Sequence, residues 1–289
     1  MSLQEAPLEL NNTRFPVEVK VLLCKATNWQ MLKKGMTNRS FVFSSSGQRY
    51  ILRIPGEGTD RLINRKQEAD VYKVISGRGF CDDPVFIDSG TGIKITRYLD
   101  GTRTCDPYDK DDLKRCMALL RRFHGMRLKV NHTFDLFGQI EFYESLWSRE
   151  SIYPDYREMK ERVFSLKPFI DAQERTSCLS HIDAVHDNFL FCGNQLQLTD
   201  WEYAGMQDPH IDVAMFCVYN NYSRGQVDQL IDLYFEGNCN SLVRRKIYCY
   251  ISACGLLWSN WCEYKHQLGV DFGKYAQRQY QYAKEYCRI

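Results

Sequence analysis

Along the first hundred residues, apolar and polar positions alternate in short runs. Phe41-Val42-Phe43 and the stretch 49–54 flank the turn Ser44-Ser45-Ser46-Gly47, and their β-branched and aromatic alternation predicts a hairpin. A segment with few helix breakers, 62–76, ends at Ser76-Gly77 and predicts a helix. Val85-Phe86-Ile87 and 93–98 then lie on either side of Asp88-Ser89-Gly90-Thr91-Gly92, which predicts a second hairpin.

After Tyr98 the period changes. Leu113, Met117, Leu120 and His124 recur at helical intervals within 111–125, and 141–151 and 156–170 also read as helices. Two short extended runs, Phe189-Leu190-Phe191 and Gln195-Leu196-Gln197-Leu198, surround the Gly193-Asn194 turn before helices resume from about His210. No internal repeat is visible. The expected class is α+β: a small antiparallel sheet with one helix over 1–98, followed by a mainly helical part over 99–289.

Composition narrows the setting. The chain has 289 residues, 44% hydrophobic and 26% charged, and no Pro-rich or Ser-rich tract long enough to be a linker, so one compact body is expected. A net charge of +2 with mixed signs gives no basic stripe, and Arg244-Arg245-Lys246 reads as a solvated helix face, which speaks against a nucleic-acid partner. The start lacks a basic and apolar leader and no stretch is long enough to span a bilayer, so a cytoplasmic protein without membrane insertion is expected. None of the twelve cysteines forms C-x-x-C, and Cys249 and Cys254 lack metal-ligand spacing, so reduced and mostly buried thiols are expected.

Phosphoryl transfer needs a carboxylate beside the attacking hydroxyl, metal ligands for the phosphates of ATP, and donors over those phosphates. His181-x-Asp183 followed by Asn188 places an acid and an oxygen ligand on one loop, and Asp200 follows the short hairpin. In a kinase arrangement Asp183 orients or deprotonates the substrate hydroxyl while Asn188 and Asp200 bind Mg²⁺. The bland reading is a polar loop rich in Asp and His by chance.

The run from Leu179 to Phe189, with Leu198-Thr199-Asp200-Trp201-Glu202-Tyr203-Ala204, resembles choline kinases of the bacterial LicA type, within the choline/ethanolamine kinase and aminoglycoside phosphotransferase superfamily. The likeness spans nearly the whole chain and implies a protein-kinase-like bilobal fold. Gly35-Met36-Thr37-Asn38 looks like the family's phosphate-covering loop, and Leu52-Arg53-Ile54-Pro55-Gly56 like its nucleotide-binding strand. The resemblance thus assigns Gly35, Thr37, Asn38, Arg53, Glu68 and Tyr98 to ATP, with Glu68 pairing Arg53. Arg53 stands where most kinases carry lysine, a change that keeps a permanent charge and a bidentate phosphate grip. Lys34 stands where relatives often have glycine. The resemblance also makes His181 a brace of the loop and Asp212 a support for it, while His186 is read as solvent-facing.

The implied acceptor is choline, whose quaternary ammonium has no N–H to donate and is held best by aromatic faces. From Asp200 onward there are 17 Phe, Trp and Tyr residues against ten Asp and Glu, which is not the acidic basin that a polycationic aminoglycoside would want. Trp258-Ser259-Asn260-Trp261 and the stretch 271–276 resemble the family's C-terminal signature, and Tyr203, Tyr219, Trp258, Trp261 and Tyr275 are the expected acceptor contacts. Spacing alone would place such aromatics in a core. Ethanolamine, with Glu202 or Glu263 meeting its ammonium, an aminosugar or other small alcohol, and a non-catalytic ammonium-binding module are the alternatives.

Overall fold

The computed structural model describes residues 7, 10, 14–34, 38–56, 59, 62–173 and 176–288. By packing, the chain divides into two units, Met1–Arg103 with Leu190–Ala204, and Thr104–Phe189 with Gly205–Ile289.

The first unit opens with α1 (Val17–Cys24) and a five-stranded antiparallel sheet: β1 (Thr27–Lys34), β2 (Asn38–Ser45), β3 (Gln48–Pro55), β4 (Pro84–Ile87) and β5 (Lys94–Arg97), in the order β1-β2-β3-β5-β4. Both expected hairpin regions are strands. The β2–β3 turn places Ser46 and Gly47 at φ 50° and 79°, the left-handed pair that a two-residue hairpin turn needs. Trp29, Phe41, Phe43, Leu52, Ile54, Ile93 and Ile95 form one apolar core, with Trp29 stacked on Phe43 at 4.4 Å. Helix α1 adds Val19 to that core, and Ser45 Oγ donates to Leu22 O at 2.8 Å.

Between β3 and β4 lies α2 (Arg65–Ile75), started by Asn64, whose side chain accepts the N–H of Gln67. Its buried face carries Ala69, Val71, Tyr72 and Ile75, and also Arg65 and Glu68, so this amphipathic helix delivers charge as well as apolar surface inward.

Beyond β6 (Arg103–Thr104), the second unit runs through α3 (Lys110–Gly125), α4 (Leu136–Ser145), α5 (Tyr156–Phe164), α6 (Lys167–Ala172) and β7 (Cys178–Ser180). The helix expected at 141–151 starts earlier, because Asp135 caps it by accepting the N–H of Gly138. The helix expected over 156–170 divides in two near Pro168, which has no N–H to continue the ladder. Next come β8 (Phe189–Cys192), β9 (Gln195–Leu198), β10 (Gly205–Gln207), α7 (His210–Tyr219), α8 (Arg224–Phe235), α9 (Ser241–Gln267) and α10 (Lys274–Tyr286).

The division expected at Tyr98 treats 99–289 as continuous, whereas Leu190–Ala204 packs with the first unit. The cause is local to Phe80 and Cys81. Leu198 N donates to Phe80 O at 2.8 Å, Cys81 bridges Leu198, and the fully buried Trp201 lies 5.9 Å from the Phe80 ring.

Helix α9 is the spine of the second unit and packs against α10, α7 and α4. A Cβ at Gly255 would come within 2.7 Å of both Gln279 O and Tyr282 Cβ, so close contact between α9 and α10 requires glycine. Asn260 ties α9 to its neighbours through Ile140 O at 3.1 Å and Tyr156 OH at 2.8 Å. All twelve cysteines are free, and eight are buried. Among the described residues no helix is long and apolar enough to cross a membrane.

Candidate active site

In the second unit, β7 pairs antiparallel with β10 and delivers the chain to His181. Ile182 follows at φ 72°, a left-handed conformation that costs a β-branched residue about 1–3 kcal/mol. Asp212, fully buried in the first turn of α7, holds it there. Its Oδ2 accepts the His181 N–H at 2.9 Å and its Oδ1 the Ile182 N–H at 2.7 Å. His124 Nε2 lies 2.9 Å from Asp212 Oδ2, and Tyr234 OH lies 2.8 Å from His124 Nδ1. The loop is therefore anchored through a buried Tyr234–His124–Asp212 chain, and the expected support from Asp212 is direct. His124 reads in the sequence only as one position of an apolar repeat. His181 is fully buried.

Past the strained residue, Val185 N donates to Asp183 O at 2.8 Å and a short 3-10 turn spans His186–Asn188. Asn188 Nδ2 donates to Asp183 O at 2.9 Å and to Asp183 Oδ2 at 3.2 Å. The two residues are thus clamped together, with Asn188 turning its amide nitrogen rather than its oxygen toward the acid. That orientation suits a hard-oxygen metal ligand. His186 is half-buried rather than solvent-facing: its ring lies 5.5 Å from that of Tyr219, and its Nε2 is 3.3 Å from Asp187 Oδ1.

The first unit holds a separate charge cluster around Arg53. Its Nη2 donates to Glu68 Oε2 at 2.7 Å and its Nη1 to Asp200 Oδ1 at 3.2 Å. Burial works against the Arg53 charge, but Glu68, Asp200 and Glu202 outweigh it and hold the guanidinium above its ordinary pKa. The buried Nε of Arg53 has no hydrogen-bond partner among the described residues, which fits a donor to a phosphate oxygen. Asp200, itself at φ 65°, is about one-third exposed and offers hard oxygen to a cation.

Arg65 is a second cation, and no motif in the sequence marks it. It reaches Glu202 Oε2 at 3.2 Å, Glu68 Oε2 at 3.5 Å and Thr59 Oγ1 at 3.0 Å. Asn38 Nδ2 donates to the same Glu202 oxygen at 2.9 Å. Burial, then the charge of Asp200, push the Glu202 carboxyl up to about 7, against the pull of Arg53.

The aromatic candidates fall into two groups. Tyr203 is half-buried in the first unit. In the second unit the Tyr219 and Tyr275 rings meet edge-on at 6.0 Å, and Tyr219 OH donates to Asp187 Oδ2 at 3.1 Å. Burial raises the pKa of both phenols, and the negative charge of Asp183 adds to the shift in each, so this pair adjoins the Asp183 loop. Trp258 and Trp261 stand nearly perpendicular at 5.7 Å. Trp258 is half-buried, with Nε1 3.1 Å from Met215 Sδ. Trp261 is only 2% exposed, with Phe272 at 5.1 Å and Lys265 Nζ at 5.5 Å from its ring, so it lies mostly in the core.

Gly35 and Thr37 lie outside the described residues. Tyr98 follows β5, with its N–H on Arg49 O at 3.0 Å and the Arg49 guanidinium 4.0 Å over its ring.

Residues 28–248 match the model of a phosphotransferase enzyme family. Over 257 residues the chain is 26% identical to protein LicA of Haemophilus influenzae, covering 84% of this chain and 75% of that protein. The solved structure of choline kinase LicA from Streptococcus pneumoniae is 27% identical with a TM-score of 0.81, covering 94% of this chain and 96% of that one. A structure of LicA in complex with AMP is also 27% identical, with a TM-score of 0.78 over 91% of this chain and 92% of that one. The α+β, kinase-like fold expected from the sequence is the fold of these structures.

Proposed function

Because the chain belongs to the phosphotransferase enzyme family, we propose that it is an ATP-dependent choline kinase, which transfers the γ-phosphoryl group to the choline hydroxyl and gives phosphocholine and ADP. The observation that carries this reading is the clamp between Asp183 and Asn188, built on a strained loop and adjoining the Tyr219–Tyr275 pair. Similarity to LicA proteins, one of them solved with AMP, supports both the acceptor and the nucleotide.

In this mechanism Asp183 orients the acceptor hydroxyl and takes its proton as the new O–P bond forms and the bond to ADP breaks. Asn188 keeps the Asp183 carboxylate in place, and Asp212 keeps the loop in place. Asn188 and Asp200 are the proposed Mg²⁺ ligands; when bound, the ion offsets charge on the transferring phosphates. Arg53, positioned by Glu68, donates to those phosphates. Asn38, whose side chain is held by Glu202, would act on them through its backbone, with Gly35, Thr37 and Tyr98 as further proposed nucleotide contacts. Tyr219, Tyr275 and Trp258, backed by Trp261, and Tyr203 are the proposed acceptor contacts. Use of ATP would place the reaction in the cytoplasm.

Two features favour choline over ethanolamine. Glu202 is taken up by Arg65 and Asn38, and Glu263 Oε2 accepts from Ile152 N at 3.3 Å and Ser151 Oγ at 3.4 Å. Glu202 and one oxygen of Glu263, the carboxylates considered for a primary ammonium, are therefore engaged elsewhere. A coupled assay with ATP and Mg²⁺ over choline, ethanolamine and an aminoglycoside panel tests the reading. Choline should stimulate ADP release most strongly. Turnover confined to another acceptor, or none at all, would refute it.

A further inference from the structure

The Asp183 loop carries a second carboxylate that the mechanism above does not use. Asp187 lies within the 3-10 turn, between His186 and Asn188, and its side chain reaches Tyr219 on α7. Oδ2 accepts the Tyr219 hydroxyl at 3.1 Å, while Oδ1 faces His186 Nε2 at 3.3 Å. The side chain is still 41% exposed, so the charge is held in position without being sealed away. Tyr219 is the ring that meets Tyr275 edge-on, and Asp187 is the charged group that most strongly raises its pKa after burial itself.

We propose that Asp187 is a specificity-determining residue for the acceptor: a carboxylate fixed at the rim of the Tyr219–Tyr275 wall that selects alcohols carrying a permanent positive charge. The proposal rests on the kinase reading given above. An aromatic face attracts a cation through its quadrupole, but the same face also takes an uncharged group of equal shape by burial alone. A fixed negative charge nearby favours the cation over the neutral isostere. Each Asp187 oxygen already faces a partner from this chain, so the residue acts on the acceptor as a charge rather than as a hydrogen-bond acceptor. That suits a quaternary ammonium, which has no N–H to offer.

The test compares choline with dimethylbutanol, the alcohol in which carbon replaces the ammonium nitrogen, in the wild-type chain and in Asp187→Asn. The wild type should show a lower KM for choline than for dimethylbutanol. In Asp187→Asn, KM for choline should rise on the order of tenfold, as for the loss of one partly solvated charge contact. KM for dimethylbutanol, KM for ATP and kcat should stay within about threefold, since no uniform binding or transition-state contact is removed. Tyr219→Phe, which frees the carboxylate without removing it, should raise KM for choline by less than Asp187→Asn does. An unchanged ratio of the two KM values overturns the inference, as does an equal fall in kcat with both acceptors, which would make Asp187 a support of the loop. Absence of wild-type turnover with choline contradicts the acceptor assignment and this inference together; wild-type turnover with an unchanged ratio contradicts this inference alone.

Discussion

Asp212 accepts the backbone N–H of Ile182 at 2.7 Å and so holds a β-branched residue in a left-handed conformation directly before Asp183. Asp183, the proposed catalytic base, is thus aimed by a carboxylate 29 positions further along the chain, which is itself anchored by His124 and Tyr234. The loop's shape is not intrinsic to its sequence. Replacing Asp212 by Asn would set an amide against two backbone donors in a buried site. We expect Asp212→Asn to lower unfolding free energy by about 3 kcal/mol and kcat by on the order of a hundredfold. Denaturant titration and steady-state kinetics would check both, and unchanged kcat would show that the brace is dispensable.

Arg53 is the cation shared by Glu68 and Asp200, with Glu202 at 4.0 Å. Removing it leaves the buried Glu68 and Glu202 to share Arg65 and takes from Asp200 its contact with Arg53. Arg53→Met should destabilise the protein by about 3–5 kcal/mol and raise KM for ATP. Adding Glu68→Met should recover part of the stability but none of the nucleotide affinity. A double-mutant cycle measured by urea denaturation would reveal the coupling.

How much of this could be read from residue order depends on sequence separation. The hairpins around Ser46-Gly47 and Asp88-Ser89-Gly90 are local patterns, and both lie where alternation predicts strands. Asp183 and Asn188 are five apart, so their pairing also leaves a local trace. The Glu202 contacts of Asn38 and Arg65 span 164 and 137 positions, and the His124–Asp212 contact spans 88. No periodicity reports such pairs. Strand β1, Thr-Asn-Trp-Gln-Met-Leu-Lys-Lys, is too polar to announce itself, and it is recruited by pairing with β2. The return of Leu190–Ala204 to the first unit rests on Trp201 meeting Phe80, a contact that only the folded chain brings about.

A buried ion pair makes stability depend on pH. Asp208 lies 2.7 Å from Lys246 and accepts the N–H of His210, with Asp208 and Lys246 each 1% exposed at the side chain. Burial alone would raise the Asp208 pKa, but His210 and Lys246 outweigh it and hold the carboxyl well below the usual carboxylate range. The folded state therefore binds this proton less readily than the unfolded chain, whose Asp titrates near ~3.9. The stabilisation is present above that value and is lost as pH falls toward the folded pKa. Lys246→Met should lower stability at neutral pH and flatten its decline between about pH 5 and pH 3. Urea midpoints across that range would read it, and an equally steep decline in the variant would contradict the assignment.

The contact of α9 with α10 at Gly255 leaves no room for a methyl group. Gly255→Ala should destabilise by about 1–3 kcal/mol through overpacking. Since α9 also carries Trp258, KM for choline should rise before kcat changes. Thermal unfolding together with kinetics below the transition would separate the two effects.

Asp183 is proposed to meet the hydroxyl of choline while ATP supplies the phosphoryl group. The most direct measurement is phosphocholine formed from choline, ATP and Mg²⁺ by the wild-type chain and by Asp183→Asn, with folding of both verified by thermal unfolding. Steady phosphocholine production is expected from the wild type, with a loss of at least about a thousandfold in the variant, the scale expected when the acid–base group of a phosphoryl transfer is removed. A folded Asp183→Asn protein that makes phosphocholine at the wild-type rate, or a wild type that makes none, would contradict it.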